Sequence, residues 1–220
     1  MKLKELVPFL SLTYGAVDRL IGFIVPEGSE YKLRTRVGGG SFTDGKLIQV
    51  GIPEFMVDEE DPENGPKFDE LDVSSAQDAL ALHETGHVLY SSFSQFKDFQ
   101  IKIAEKLEKR GIDRRIGRKI GSHLLNCTED GRVEKRVANR FPGSLKYFQY
   151  LNGTIWSIQE IKEEKELQDL LMGIVSIAVS GLLPKGFVDM YKGKRIHEAI
   201  IKVRPLIIEA INAPTPRTCC

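Results

Sequence analysis

The sequence predicts an α+β protein in which a small antiparallel β element is followed by a mostly helical body. Two short segments near the start alternate apolar and polar residues, and most of the later chain repeats apolar residues every three or four positions. Hydrophobic residues make up 41% and charged residues 28% of the 220 residues, as in an ordinary globular protein. We expect a single domain over 1–220 that ends in a flexible tail over 213–220.

The β element is predicted from two segments with period-two alternation. Residues 1–25 come first and have helical spacing. Tyr31 to Val37 then alternates apolar and basic side chains, and a second strand is expected from Lys46 to Ile52. Gly38 to Gly40 and the turn residues Thr43 to Gly45 lie between them. The pair is therefore interpreted as a hairpin or as the edge of a small sheet.

The helical body follows an acidic stretch from Asp58 to Glu70, which is interpreted as a solvated loop. Proline and glycine residues divide the rest into segments with helical periodicity. These segments predict helices over about 74–90, 98–109, 113–140, 145–168, 169–183 and 194–212.

The charge balance argues against several classes of partner. Lys plus Arg and Asp plus Glu each number 31, so no global field recruits nucleic acid or a membrane surface. The arginines between Arg110 and Arg118 are interpreted as a solvated helix face. The longest apolar run, Leu170 to Pro184, is short for a membrane span. Three cysteines, two of them terminal, make no disulfide framework, which favours a cytoplasmic location.

The strongest functional signal is the segment from His83 to His87, which reads His-Glu-Thr-Gly-His. At 100° per residue, the two histidines lie about 40° apart on one helix face and can ligate one tetrahedral Zn²⁺. Apolar residues share this stripe, so the histidines are expected to be buried, which is costly without a ligand. The apolar residues of this stripe are Ala76, Ala79, Leu80 and Tyr90.

Glu84 is the predicted general base. It lies about 100° round the helix from His83, where its carboxylate could take a proton from a water acidified by the metal. The alternative is that a five-residue motif matches by chance on a core helix.

A third ligand is expected from the segment Leu125 to Glu134. On a helix, Asn126, Glu129 and Asp130 share one face, which indicates a polar site set into a packed helix. Glu129 is the first choice as ligand. Asp130 is the rival, or a carboxylate that accepts the free ring N–H of a ligand histidine.

His-Glu-Thr-Gly-His followed by Asn-x-x-Glu-Asp-Gly-Arg-x-Glu resembles the gluzincin-type metallopeptidases. The similarity is closest to peptidase domains that precede von Willebrand type A domains in bacterial, archaeal and phage proteins, and it covers about 44–140. It implies a zincin-like fold with His83 and His87 on an active-site helix and Glu129 on a glutamate helix. It also implies that the strand from Lys46 to Ile52 lines the cleft and pairs with extended peptide. A von Willebrand type A domain or an AAA-type protein is the partner implied.

The sequence departs from that family in lacking the Asn-Glu-x-x-x-Asp form of the second motif, which leaves Glu129 and Asp130 open as ligands. His123, one turn before Asn126, is an alternative ligand or transition-state donor, although a lone helical histidine is usually a satisfied core or boundary residue. Arg132, His123 and the tyrosines are candidates for stabilising an oxyanion.

We therefore expect a metallopeptidase with one Zn²⁺ per chain, held by His83, His87 and Glu129, that hydrolyses a peptide or protein substrate with Glu84 as general base. One alternative is a binding or adaptor module stabilised by structural zinc. The other is a DNA-associated protein of a phage or mobile element.

Overall fold

The structure, a computed structural model, describes residues 3–37, 40–53, 56 and 68–215. Most of the predicted acidic loop, residues 58–67, lies outside the described residues. So do residues 216–220 of the predicted tail, which include Cys219 and Cys220.

The β element is a three-stranded mixed sheet that follows a helix, α1 (Leu3–Ile24). Its strands are β1 (Lys32–Val37), β2 (Phe42–Thr43) and β3 (Leu47–Ile52), in the order β1-β3-β2. β1 pairs with β3 in parallel, from Lys32 opposite Leu47 to Val37 opposite Ile52. The prediction of an antiparallel element is therefore wrong for the longer pair and holds only for β2 and β3.

The turn that reverses the chain explains this topology. The Asp44 carboxylate accepts hydrogen bonds from the backbone N–H groups of Lys46 and Leu47, at 2.9 and 2.8 Å. Gly45 supplies the positive φ of +92° that a tight turn needs. These residues join β2 to β3, so the hairpin partner of β3 is β2, and β1 occupies the other edge of β3. β3 is thus the central strand, and β1 already pairs along its whole length.

The remaining described chain is mostly helical, as predicted. Its helices are α2 (Glu70–Tyr90), α3 (Phe93–Glu108), α4 (Arg114–Arg140), α5 (Leu145–Ile158), α6 (Glu166–Ser180), α7 (Phe187–Tyr191) and α8 (Arg195–Ile211), with a short 3-10 turn at Pro142–Ser144. The largest differences from the prediction are three: the helix expected over 145–168 ends at Ile158, the helix expected over 98–109 begins at Phe93, and α7 was not predicted. A helix of 5 residues is too short to display a periodic apolar pattern. None of the described helices has the length and apolar content needed to cross a membrane.

The chain divides into two compact units, each made of two stretches. The first unit, Met1–Leu89 with Arg140–Leu151, has a core in which α1 and α2 residues pack with the sheet. Its buried members are Val17, Ile21, Val25, Ile48, Val50 and Ala81. The expectation of one domain over 1–220 stays a prediction.

The second unit, Tyr90–Asn139 with Asn152–Cys220, has its own helical core built mainly from α6, α7 and α8. Within it, α4 approaches α6 closely at Gly131. A Cβ added there would lie 2.4 Å from the backbone oxygen of Ala178, so only glycine fits without movement of a helix. The overall α+β class is confirmed, and the zincin-like fold stays a prediction.

Candidate metal centre

The helix that carries the histidine motif, α2, begins with a reciprocal cap. The backbone N–H of Asp72 donates to the Asp69 carboxylate at 2.9 Å, and the backbone N–H of Asp69 donates to the Asp72 carboxylate at 3.0 Å. This arrangement satisfies N–H groups at the helix start, and the negative charges suit the positive end of the helix dipole. The cap therefore fixes the start of α2 at Glu70, thirteen residues before His83.

The histidine turn of α2 is buried nearly all round. Glu84 and His87 are 5% and 8% exposed to solvent, Thr85 is fully buried, and His83 is half-buried. The hydroxyl of Thr85 donates to the backbone oxygen of Ala81 at 2.6 Å, so this buried polar group is satisfied within the helix. A carboxylate and an imidazole held in such surroundings are costly unless they bind a charged or polar partner.

The two imidazoles have the spacing that a shared metal requires. The Nε2 atoms of His83 and His87 lie 3.2 Å apart, and the rings are inclined at 70° with their centroids 4.8 Å apart. Two nitrogens bound to one tetrahedral zinc at 2.0–2.1 Å would be about 3.3 Å apart. The same distance also allows one ring to donate a hydrogen bond to the other, depending on the tautomers. The donor set therefore fits zinc, and a direct histidine pair is the alternative.

On α4, the predicted ligand Glu129 is part of a buried ion pair. Glu129 and Arg132 are 0% and 1% exposed. Arg132 donates from Nε to Oε2 of Glu129 at 2.7 Å and from Nη2 to Oε1 at 2.6 Å, a bidentate arrangement. Ser91 Oγ donates a further hydrogen bond to Oε1 at 2.6 Å. Both oxygens of the Glu129 carboxylate are thus already hydrogen-bonded.

The same arginine also holds the end of the histidine helix. Arg132 Nη2 donates to the backbone oxygen of Tyr90, the last residue of α2, at 2.7 Å. The carbonyls of a final helical turn lack partners within the helix, and the guanidinium satisfies one of them. Tyr90 and Ser91 follow His87 by three and four residues, so the ion pair anchors the chain just after the second histidine.

Among the described residues, His83, His87 and Asp130 form a group that could hold a metal ion. Asp130 is half-buried, in contrast to its neighbour Glu129. Two imidazole nitrogens and one carboxylate oxygen are a donor set typical of catalytic zinc sites. The predicted histidine ligands are thus joined by Asp130 rather than Glu129 in this group, and the assignment of Glu129 as ligand stays a prediction.

The other predicted residues lie in different environments. His123 and Asn126 are exposed, so the helix face expected to form one polar site is solvated at its beginning and buried at Glu129. Cys127 is half-buried, and burial raises the pKa of its thiol to about 12. A thiol with that pKa is protonated near neutral pH.

Sequence reasoning missed the part that Ser91 and Arg132 play. Arg132 was a candidate for stabilising an oxyanion, but its guanidinium is buried and engaged by Glu129 and Tyr90. The signal that could have revealed the pair is the spacing: an acid and an arginine three residues apart on a helix are neighbours.

Comparisons with known proteins found no matching family model, no matching curated protein and no matching solved structure.

Proposed function

We propose that the protein is a zinc-dependent hydrolase of peptide or related amide bonds, with His83 and His87 as two of the metal ligands and Glu84 as general base. The observation that carries the proposal is the 3.2 Å separation of the two Nε2 atoms on a helix that also buries Glu84. Burial of a carboxylate one residue from a ligand histidine has a chemical purpose in a hydrolase.

We propose Asp130 as the third ligand in preference to Glu129. Ligation by Glu129 would require its carboxylate to give up hydrogen bonds from Arg132 or Ser91, and would leave a buried guanidinium less well paired. Asp130 belongs to the group that could hold a metal ion, and its ligation would leave the pair of Glu129 and Arg132 intact. Glu129 then serves to hold Arg132 against the carbonyl oxygen of Tyr90.

The metal and Glu84 would have different roles in hydrolysis. A bound zinc ion supplies a water of lowered pKa and polarises the substrate carbonyl. Glu84 accepts the proton of the attacking water and then delivers it to the leaving amine. The burial of Glu84 and Thr85 limits the bulk water that reaches this turn, which strengthens electrostatic interactions there.

A zincin-like fold, a peptide substrate and partners such as a von Willebrand type A domain or an AAA-type protein belong to this proposal through the motif resemblance alone. One part needs revision: an extended peptide pairing with β3 cannot use the edge that β1 occupies from Lys32 to Val37. Strand addition would have to use another edge of the sheet.

The test is the Glu84→Gln substitution, which keeps the shape of the side chain and removes its basicity. We expect wild type to bind about one zinc per chain by plasma mass spectrometry and to cleave a quenched fluorescent protein substrate. The variant should keep its zinc and lose about 10²–10⁴-fold in turnover. Thr85→Ser, which changes the neighbouring residue and retains its hydroxyl, is the matched control and should stay close to wild type. Full activity in Glu84→Gln, or a wild-type protein that binds no zinc, would refute the proposal.

A further inference from the structure

In the second unit, α3 and α4 pack closely together as a helical hairpin. A Cβ added at Gly117 would lie 2.9 Å from the Cα of Ala104, and one at Gly121 would lie 3.1 Å from the Cβ of Ile103 and 3.4 Å from the Cα of Gln100. As α4 advances, its contacts on α3 move backwards, so the two helices are antiparallel. Glycine at these two positions permits the close approach.

The tip of this hairpin, residues 102–119, concentrates positive charge. It carries eight lysines and arginines against three acids, and all eleven side chains are exposed. Eight cations less three acids leave a net charge of +5, whereas the formal net charge of the whole chain is zero. The cations are Lys102, Lys106, Lys109, Arg110, Arg114, Arg115, Arg118 and Lys119. Overall neutrality therefore conceals a segregation of charge.

The acids of the tip neutralise only part of this field. Among the described residues, the ion pairs of these cations join Arg114 to Glu105 and Glu108, at 3.5 and 3.8 Å, and Arg115 to Asp113, at 3.7 Å. Both arginines are exposed, so the pairs are weak and screened by salt.

The placement of the arginines is also unfavourable for the helix. Arg114, Arg115 and Arg118 lie at the start of α4, whose first turn contains no acid; the one acid at this end is Asp113, which accepts hydrogen bonds from the backbone N–H groups of Arg115 and Ile116. The N-terminal end of a helix dipole is positive and disfavours cations. An arrangement that leaves several arginines in solvent at a helix N-terminus is suited to an anionic partner.

We propose that the basic hairpin tip binds the phosphate backbone of nucleic acid without sequence preference. Arginine guanidinium groups match phosphate geometry, and clustered cations release counterions from the polyanion on binding. An anionic membrane fits less well, because insertion needs apolar area and the tip exposes one large apolar side chain, Ile116, at 52%. Binding at the hairpin tip would be independent of the proposed hydrolase activity, and it differs from the expectation that the protein has no nucleic-acid partner.

The experiment measures binding of the full chain to a fluorescein-labelled 30-base-pair DNA duplex by anisotropy, at several salt concentrations. The triple variant Arg115→Glu, Arg118→Glu, Lys119→Glu should bind at least about 10-fold more weakly at low salt. The slope of log K against log salt should also fall by about 3, since each phosphate contact contributes about 0.9. A chelator should leave wild-type binding unchanged, which separates this surface from the proposed metal centre.

The matched control reverses three exposed lysines elsewhere in the second unit, at Lys162, Lys192 and Lys202, and changes the net charge by the same amount. It should bind within about 3-fold of wild type. Equal weakening by both variants, no binding by wild type at low salt, or binding to phosphatidylserine vesicles without binding to DNA would each overturn the proposal.

Discussion

The helices α2 and α4 both bury acidic side chains, but they do so in different ways. On α2, Glu84 is buried within one turn of two histidines whose Nε2 atoms lie 3.2 Å apart. On α4, Glu129 is completely buried and accepts two hydrogen bonds from the guanidinium group of Arg132, which belongs to the same helix. A buried carboxylate is therefore not by itself a metal ligand. The residue three positions further along the helix can already supply the counter-charge.

The largest expected effect comes from breaking the α4 pair on one side. Arg132→Met leaves the Glu129 carboxylate buried without its counter-charge, which should lower the free energy of unfolding by about 3–5 kcal/mol. The double variant Glu129→Met, Arg132→Met removes both charges and should recover much of that loss. Urea denaturation followed by circular dichroism measures both. Arg118→Met, at an exposed position of the same helix, should change stability by less than about 0.5 kcal/mol. A similarly small loss in Arg132→Met would mean that the pair contributes little.

The next effect tests how α4 is held beside the pair. Gly131→Ala places a methyl group 2.4 Å from the backbone oxygen of Ala178, so α4 or α6 must shift, at a cost of about 1–3 kcal/mol. Gly153→Ala, in α5, is the control, because a Cβ there meets nothing within 4 Å. Alanine is favoured over glycine within a helix, so that variant should gain about 0.5–1 kcal/mol. Thermal denaturation should therefore show a lower melting temperature for Gly131→Ala and a higher one for Gly153→Ala. An unchanged melting temperature in Gly131→Ala would contradict the close contact between α4 and α6.

The smallest effect concerns Cys127, which lies two residues before Glu129 on α4. Because burial raises the pKa of its thiol to about 12, the native protein should react slowly with iodoacetamide at pH 8. Cys219→Ser and Cys220→Ser remove the two other thiols and make the labelling specific. The rate should rise markedly in urea. Equally fast labelling of native and unfolded protein would show an accessible thiol and argue against this packing of α4.

The regular parts of the fold follow from local pattern, and the rest depends on contacts distant in sequence. Helical periodicity predicted α2, α4 and α8 to within a few residues, because their apolar residues recur every three or four positions along the whole helix. The parallel pairing of β1 with β3 could not be predicted, because alternating apolar and polar residues are compatible with either an antiparallel hairpin or a parallel pair. The turn at Asp44 fixes only the β2–β3 hairpin.

The candidate site divides along similar lines. The histidine pair was predictable because four-residue spacing places two side chains on one helix face. The choice between Glu129 and Asp130 could not be predicted, because their positions place both residues on the same polar face of the helix. What distinguishes them is a set of contacts: Arg132 joins Glu129 to the carbonyl of Tyr90, and Ser91 donates from the next residue of the chain. The sequence marks Arg132 as a neighbour of Glu129 but gives no sign of either contact from the end of α2.

The most direct measurement is the zinc content of Asp130→Asn beside that of Glu129→Gln, after dialysis and at a temperature where circular dichroism shows both to be folded. We predict that Asp130→Asn loses most of its zinc, whereas Glu129→Gln retains about one zinc per chain despite its lower stability. Wild type and Glu84→Gln provide the fully loaded references. Loss of zinc from Glu129→Gln with full retention in Asp130→Asn would contradict the assignment and make Glu129 the third ligand.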